Sequence, residues 1–324
     1  MRSWCRIKKF IFYPMVKSKR DFFSNLHSPV ALVCHDAGAA NLVFAWLRDW
    51  AYSGLLDQHE FRVLLQGPAK IAWYAQAMAL PHMQWHTSLD TALTGAHCVL
   101  TGTGWASDVE HDARQLASVQ KIPCIAVIDH WVNYQQRFER AGEVVLPDAI
   151  WVADPYAAEM ASTLFKTVYV HELPNVYLSE MVKAIPLVRE DCNNLLYVLE
   201  PMRNDWGRGV AGEFQALDFF VQYLHKIVGD QFVHVVLRPH PSDAQGKYEG
   251  WIQAHPELSV AIDPHPSLNQ AIEHAKWVVG AETFAMVVAD AAGRATYSSL
   301  PPWAHRCRLP QSSIQHLRDW VIAN

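Results

Sequence analysis

An α/β fold, with two Rossmann-like domains facing each other across a cleft, is predicted for this 324-residue chain by three observations. Short runs of β-branched and aliphatic residues recur and end abruptly in polar or small residues, as buried parallel strands do at the rim of a sheet. Most of these runs are followed by a stretch with helical spacing, so that strand and helix alternate along the chain. The alternation lapses over residues 178–192 and then restarts, which divides the sequence into two halves of comparable size.

Bulk composition narrows the class. Hydrophobic residues make up 51% of the chain and charged ones 18%, so each half can bury a core of its own. The formal net charge of −5 argues against a general nucleic-acid binder, which needs a basic footprint. Six scattered cysteines form no CxxC pair, and three fall in apolar runs. They read as buried thiols of a reducing, cytoplasmic compartment, not as disulfides or a zinc site. No apolar run is long enough for a transmembrane helix. Residues 1–20 carry seven basic residues and no acid, interleaved with Trp4, Phe10, Ile11, Phe12 and Tyr13. Pro14 and Lys17 interrupt any signal-peptide core. This stretch reads either as a peripheral anchor on an anionic membrane face or as a basic arm.

Taken in order, the first domain (29–177) follows an N-terminal extension (1–28). A buried strand at 30–34 leads through a small-residue turn into a helix whose Leu42, Val43, Trp46, Leu47 and Trp50 share one face. That turn has only Gly38 where the dinucleotide fingerprint needs three glycines, so no NAD or FAD is inferred. A second strand starts at Phe61, with a short helix over 70–80. A third strand, at 98–100, opens through a glycine turn into a helix whose Asp108, Glu110 and Asp112 suit its positive end. The strand at 124–128 ends in Asp129 and His130. Asp154 and Pro155 start another helix as cap and first residue, and a short strand near 169 follows. After the linker at 178–192, the second domain (193–302) opens with a strand at 195–199 and a helix over 213–228. Strands at 233–237, 258–262 and 277–279 complete it, with helices over 267–275 and after Thr283. The tail (303–324) reads as one terminal helix.

Chemistry concentrates where these strands end, because open parallel sheets bind ligands beyond the carboxyl ends of their strands. Val233, Val235, Val236 and Leu237 deliver Arg238, Pro239, His240 and Pro241. The two prolines stiffen the loop around the imidazole. The strand at 277–279 runs through Gly280 and Ala281 into Glu282 and Thr283. Thr283 is placed to cap the helix that follows, whose free N–H groups and positive dipole end suit a phosphate. In the first domain Asp129 sits at a strand tip, where a general base belongs, or else caps the following helix or pairs with Arg137. The turns His35, Asp36 and Gly38, and Gly102, Gly104 and Trp105, flank it together with His130.

Two Rossmann-like halves, a crossover and a C-terminal helix resemble the GT-B fold of nucleotide-sugar glycosyltransferases. Within that fold the His240–Pro241 pair is similar to the HP motif of bacterial sialyltransferases and capsule Kdo transferases, which use CMP-linked acidic sugars. The resemblance implies that Asp129 is the base, that His240 acts at the leaving phosphate, and that Thr283 stands where a phosphate-binding serine would. Arg238, Pro241 and Glu282 then line the donor side, and His35, Asp36, Gly38, Gly102, Gly104, Trp105 and His130 the acceptor side. Asp129-His130-Trp131 departs from the acid-acid-glycine motif of those families, and Glu282-Thr283 from their paired serines.

The activity implied is transfer of a sugar from a nucleotide donor to a glycan or lipid-linked acceptor of surface-polysaccharide synthesis, and the lack of a DxD triplet leads to the expectation of no catalytic divalent ion. Other chemistries share the fold: nucleotide-sugar epimerases or hydrolases, teichoic-acid glycerol-phosphate transferases, and binding proteins without catalysis.

Overall fold

The computed structural model describes residues 26–202 and 204–321. The basic and aromatic stretch read as an anchor or arm lies outside them. Two compact units form. One runs to Asp129 and resumes over Tyr134–Pro174, and the other takes His130–Asn133 and the chain from Asn175 onward. Among the described residues no helix is long and apolar enough to cross a membrane.

The first unit holds strands β1 (Val30–Cys34), β2 (Phe61–Leu65), β3 (Met83–Trp85), β4 (Cys98–Thr101), β5 (Cys124–Val127), β6 (Glu139–Arg140), β7 (Glu143–Val144), β8 (Ala149–Val152) and β9 (Tyr169–Glu172). Its helices are α1 (Ala37–Tyr52), α2 (Gly67–Ala75), α3 (Leu89–Leu93), α4 (Val109–Gln120) and α5 (Pro155–Leu164). Seven strands make a parallel sheet in the order β3-β2-β1-β4-β5-β8-β9, and β6 and β7 pair as a separate hairpin. β1 is buried along its whole length, as a central strand covered on both faces must be. The apolar stripe of α1 is buried. Trp46 and Trp50 meet Trp151 of β8 edge-on at 6.0 and 5.9 Å. The Trp46 indole donates to the Pro174 carbonyl at 2.8 Å, which satisfies a polar group that burial would otherwise strand.

The second unit contains α6 (Val176–Lys183), β10 (Asn194–Val198), α7 (Gly212–Val228), β11 (His234–Arg238), α8 (Glu249–Ala254), β12 (Val260–Ile262), α9 (Leu268–Glu273), β13 (Trp277–Gly280), α10 (Phe284–Ala291), β14 (Ala295–Ser298) and β15 (Gln315–His316). Its sheet is parallel in the order β12-β11-β10-β13-β14-β15. Leu195, Tyr197, Leu217, Phe220, Val235, Leu237 and Val279 fill the core between sheet and helices. Strand order reverses once in each sheet, between β1 and β4 and between β10 and β13. Loops leave in opposite directions at such a point and open a crevice.

The α/β class and both Rossmann-like sheets agree with the sequence reading, but two segments differ from it. The stretch taken as a bare linker begins with α6, where Asn175 caps the helix by accepting the Leu178 N–H and Tyr177 stacks on Phe284 at 6.1 Å. None of the α6 residues is fully buried, and at eight residues the helix is too short to establish a clear period. The tail is not one helix. Gln315 and His316 pair beside Tyr297 and Ser298 as a sixth strand, and a single 3₁₀ turn, Leu317–Trp320, follows. Leu317 is buried in the core of this unit, so packing and strand pairing override the weak helical spacing. The short elements β3, α3 and the β6–β7 hairpin carry too few residues to announce a period.

Gly280 ends β13 where it crowds β10. A Cβ there would sit 2.7 Å from Val198 Cγ2 and 3.0 Å from the Val198 carbonyl oxygen. Gly280→Ala is therefore expected to destabilise the protein by about 1–3 kcal/mol through overpacking, read as a lower midpoint in thermal or urea unfolding.

Candidate functional site

In the first unit, the switch point gathers the loops after β1, β4 and β5. Glu110, in the first turn of α4, is fully buried. One of its carboxylate oxygens accepts the His35 and Asp36 N–H groups at 2.8 and 3.2 Å, and the other accepts the Gly104 N–H at 2.5 Å. Burial pushes this carboxyl above its ordinary range, and the three amides only partly offset that. The sequence reading gave Glu110 to the helix dipole, whereas its carboxylate also ties two loops together. The packing leaves no room for side chains at the glycines. A Cβ on Gly102 would lie 2.5 Å from Glu110 Oε1, and one on Gly104 2.6 Å from Asp36 Cβ.

Asp129 lies against the start of α1, because a Cβ on Gly38 would fall 1.8 Å from Asp129 Oδ2. Its other oxygen pairs with Arg137 at 2.7 Å, with the two side chains only 16% and 6% exposed. Of the roles the sequence left open for Asp129, pairing with Arg137 is thus present. Arg137 also donates to Thr103 Oγ1 at 3.1 Å and lies over the Trp105 ring, 5.4 Å from its centroid. The Asp36 carboxylate accepts the Gly38 N–H at 3.3 Å. Burial and then the Asp129 charge push the Asp36 carboxyl up, with Arg137 pulling the other way. His35, Asp36, Gly38, Gly102, Gly104, Trp105 and Asp129 therefore form one neighbourhood. His130 follows Asp129 directly in the chain, and its ring lies 5.3 Å from that of Trp131.

In the second unit, the strand-end residues divide into engaged and open groups. Arg238 pairs with the buried Asp263 carboxylate and donates to the His265 carbonyl at 3.0 Å. Glu282 is buried, and its carboxylate takes His305 Nε2 at 2.8 Å, the Arg308 N–H at 3.1 Å and the Arg308 guanidinium. Burial alone would raise the Glu282 carboxyl, but these bonds outweigh it and hold the group low. Its N–H donates to Glu200 Oε2 at 3.3 Å. Burial and the neighbouring Glu282 charge push the Glu200 carboxyl up to about 7. Thr283 caps α10, its hydroxyl accepting the Ala285 N–H at 3.4 Å. His240 is exposed on the loop after β11, followed by Pro241.

Sequence reasoning missed Glu200, His305 and Arg308. Glu200-Pro201 ends a buried strand just as Arg238-Pro239 does, and that likeness was the available signal. His305 and Arg308 reach back more than twenty residues from an irregular segment, which no spacing rule reveals. Among the described residues no group of three or more His, Cys, Asp or Glu is placed to hold a metal ion. All five described cysteines are free, and Cys34, Cys98 and Cys124 are buried as expected.

No protein-family model matches the chain, and no curated protein matches it. Solved structures do. UDP-GlcNAc 2-epimerase from Neisseria meningitidis, bound to UDP-GlcNAc, is 12% identical with a TM-score of 0.58, over 87% of this chain and 84% of that one. A putative UDP-N-acetylglucosamine 2-epimerase from Listeria monocytogenes is 10% identical with a TM-score of 0.57, over 84% and 79%. A kitacinnamycin glycotransferase is 14% identical with a TM-score of 0.51, over 91% and 89%. At these identities the likeness establishes the fold, the two-domain Rossmann-like GT-B class.

Glu200 gives a test of the electrostatics. A carboxyl raised to about 7 binds its proton more tightly in the folded chain than in the unfolded one. Its contribution to stability is full below the unfolded carboxyl range near 4.3 and is lost as pH rises through 7. Glu200→Gln should match the wild type near pH 4 and melt at a higher temperature than it does at pH 8, as read by thermal unfolding across that range.

Proposed function

We propose that this chain is a nucleotide-sugar enzyme that transfers the sugar to a glycan or lipid-linked acceptor of surface-polysaccharide synthesis. The observation that carries the proposal is the carboxyl edge of the second unit's sheet. His240 follows β11, Glu200 follows β10, and the Thr283-capped start of α10 follows β13. Three adjacent strands at a spacing of about 4.8 Å bring these groups to neighbouring loops at a switch point. A helix N-terminus and an imidazole are suited to a nucleotide's phosphates, and would offset the charge that grows on the leaving phosphate.

In the first unit Asp129 is the proposed base for the acceptor hydroxyl, with Asp36 beside it and Trp105 as a stacking surface for a sugar ring. Arg238 and Glu282, both held in internal ion pairs, are assigned to shaping the donor loops. The proposal includes no resident metal, since the strand-end carboxylates already have arginine and amide partners.

The likeness to two UDP-GlcNAc 2-epimerases supports a second reading, epimerisation or hydrolysis of the donor. It also favours a uridine nucleotide over the CMP-linked acidic sugar that the HP motif suggested.

A thermal-shift screen against CMP, UDP, GDP and CDP tests the donor. A nucleotide at a hundred times its dissociation constant adds roughly 2.7 kcal/mol to stability, and UDP is the expected hit. With no stabilising nucleotide the proposal fails. Asp129→Asn is expected to lower acceptor-dependent turnover by about 10²–10⁴-fold, measured as nucleotide release, while leaving nucleotide binding intact. Donor turnover without acceptor, with solvent deuterium entering the sugar, would select the epimerase reading.

A further inference from the structure

We infer that His240 is held as a neutral imidazole with its proton on Nε2, that Ser242 and Lys247 are the positioning residues that hold it so, and that the ring presents an N–H, not a lone pair, to an oxyanion of the bound ligand. The ligand's identity rests on the nucleotide-sugar reading above, but the state of the ring does not.

The argument begins with a backbone amide. The Ser242 N–H donates to His240 Nδ1 at 3.2 Å, and Ser242 Oγ lies 2.7 Å from the same nitrogen. An amide N–H can only donate, so Nδ1 must keep its lone pair. The single proton of the neutral ring is then on Nε2. Protonating Nδ1 would point two N–H groups at each other and break this contact.

The loop that sets this geometry is fixed from beneath. The His240 N–H donates to Asp243 Oδ2 at 2.9 Å, and Tyr248 OH donates to the same oxygen at 3.0 Å. Lys247 Nζ bridges Asp243 Oδ1 at 2.7 Å and Glu213 Oε1 at 2.6 Å, where the two carboxylate side chains are only 2% and 6% exposed. The second Glu213 oxygen accepts the Met202 N–H at 3.2 Å. One ammonium thus joins the loop after β11 to the first turn of α7 and, through it, to the loop after β10. Burial lowers the affinity of His240 for a second proton, the Asp243 charge opposes that, and Lys247 restores it. Without Lys247, the Asp243 charge would act on the imidazole unopposed and favour the imidazolium.

The consequence is a division of labour. With Nε2 protonated and Nδ1 occupied, the ring has no free lone pair with which to take a proton from an acceptor. It can donate a hydrogen bond to a phosphate oxygen, and proton removal is left to carboxylates.

The test is long-range ¹H–¹⁵N spectroscopy of uniformly labelled, ligand-free protein at pH 7.5, with the His240 signals assigned by their loss in His240→Gln. A pyridine-type Nδ1 and a pyrrole-type Nε2 are expected. A dominant Nδ1–H tautomer or an imidazolium would overturn the inference. Lys247→Met should move the His240 titration to higher pH, and Lys247→Arg, which can still bridge two carboxylates, should restore it. An unmoved titration in a folded Lys247→Met protein would remove Lys247 from the assignment. Ser242→Ala keeps the amide and should keep the tautomer, and a switch to Nδ1–H there would overturn the role given to the amide. A protein that binds no nucleotide would still yield the tautomer, so this failure and that of the functional reading are told apart.

Discussion

Carboxylates crowd the strand ends of both sheets, and in each unit an arginine pairs with one of them while a neighbouring carboxyl is pushed up. In the first unit Arg137 pairs with Asp129, and the neighbouring Asp36 carboxyl is pushed up. In the second, Arg308 and His305 hold Glu282 low, and Glu200 is pushed up to about 7. Moving a lone carboxylate out of water costs several kcal/mol, so two side by side cannot both stay ionised without a counter-charge. The arrangement separates paired acids into one held by a basic partner and one whose affinity for a proton is raised. Such separation is the ordinary way in which a site obtains both an acid and a base from the same residue type.

These clusters also explain where glycine is required. Gly38, Gly102 and Gly104 have no positive φ, so conformational freedom is not what they supply. Each leaves space for a carboxylate to meet the backbone: Asp129 at Gly38, and Glu110 at Gly102 and Gly104. A larger residue at any of them would displace the hydrogen-bonded acid and with it the loop that the acid anchors.

Much of this architecture could be read from the sequence, because buried parallel strands write continuous apolar runs that stop at the sheet edge. β1, β5, β10, β11 and β13 all ended within a residue or two of where their runs end, and the caps at Asp154 and Thr283 are those the residue types implied. Local rules reached that far. They did not reach α6, which is short and buries no residue fully, or β15, a strand only by virtue of pairing with β14. The same limit applies to the site. Asp36, Asp129 and His240 stand at strand tips and could be named, whereas Glu110 looks like any acid at a helix start, and Arg308 becomes a partner of Glu282 only after the tail has folded back.

Unit two carries this reasoning one step further. Its sheet edge contains a histidine whose proton is placed by an amide, an acid poised near neutrality, and an acid that is already neutralised. Those three states follow from hydrogen bonds, burial and charges within the unit, so they exist before any ligand arrives. A ligand phosphate approaching this edge would meet donors at His240 Nε2 and at the start of α10, with no reorganisation of either. It would also add negative charge near Glu200, and by linkage would favour the protonated carboxyl there. Binding of an anion there would therefore be coupled to proton uptake at Glu200, in the same direction.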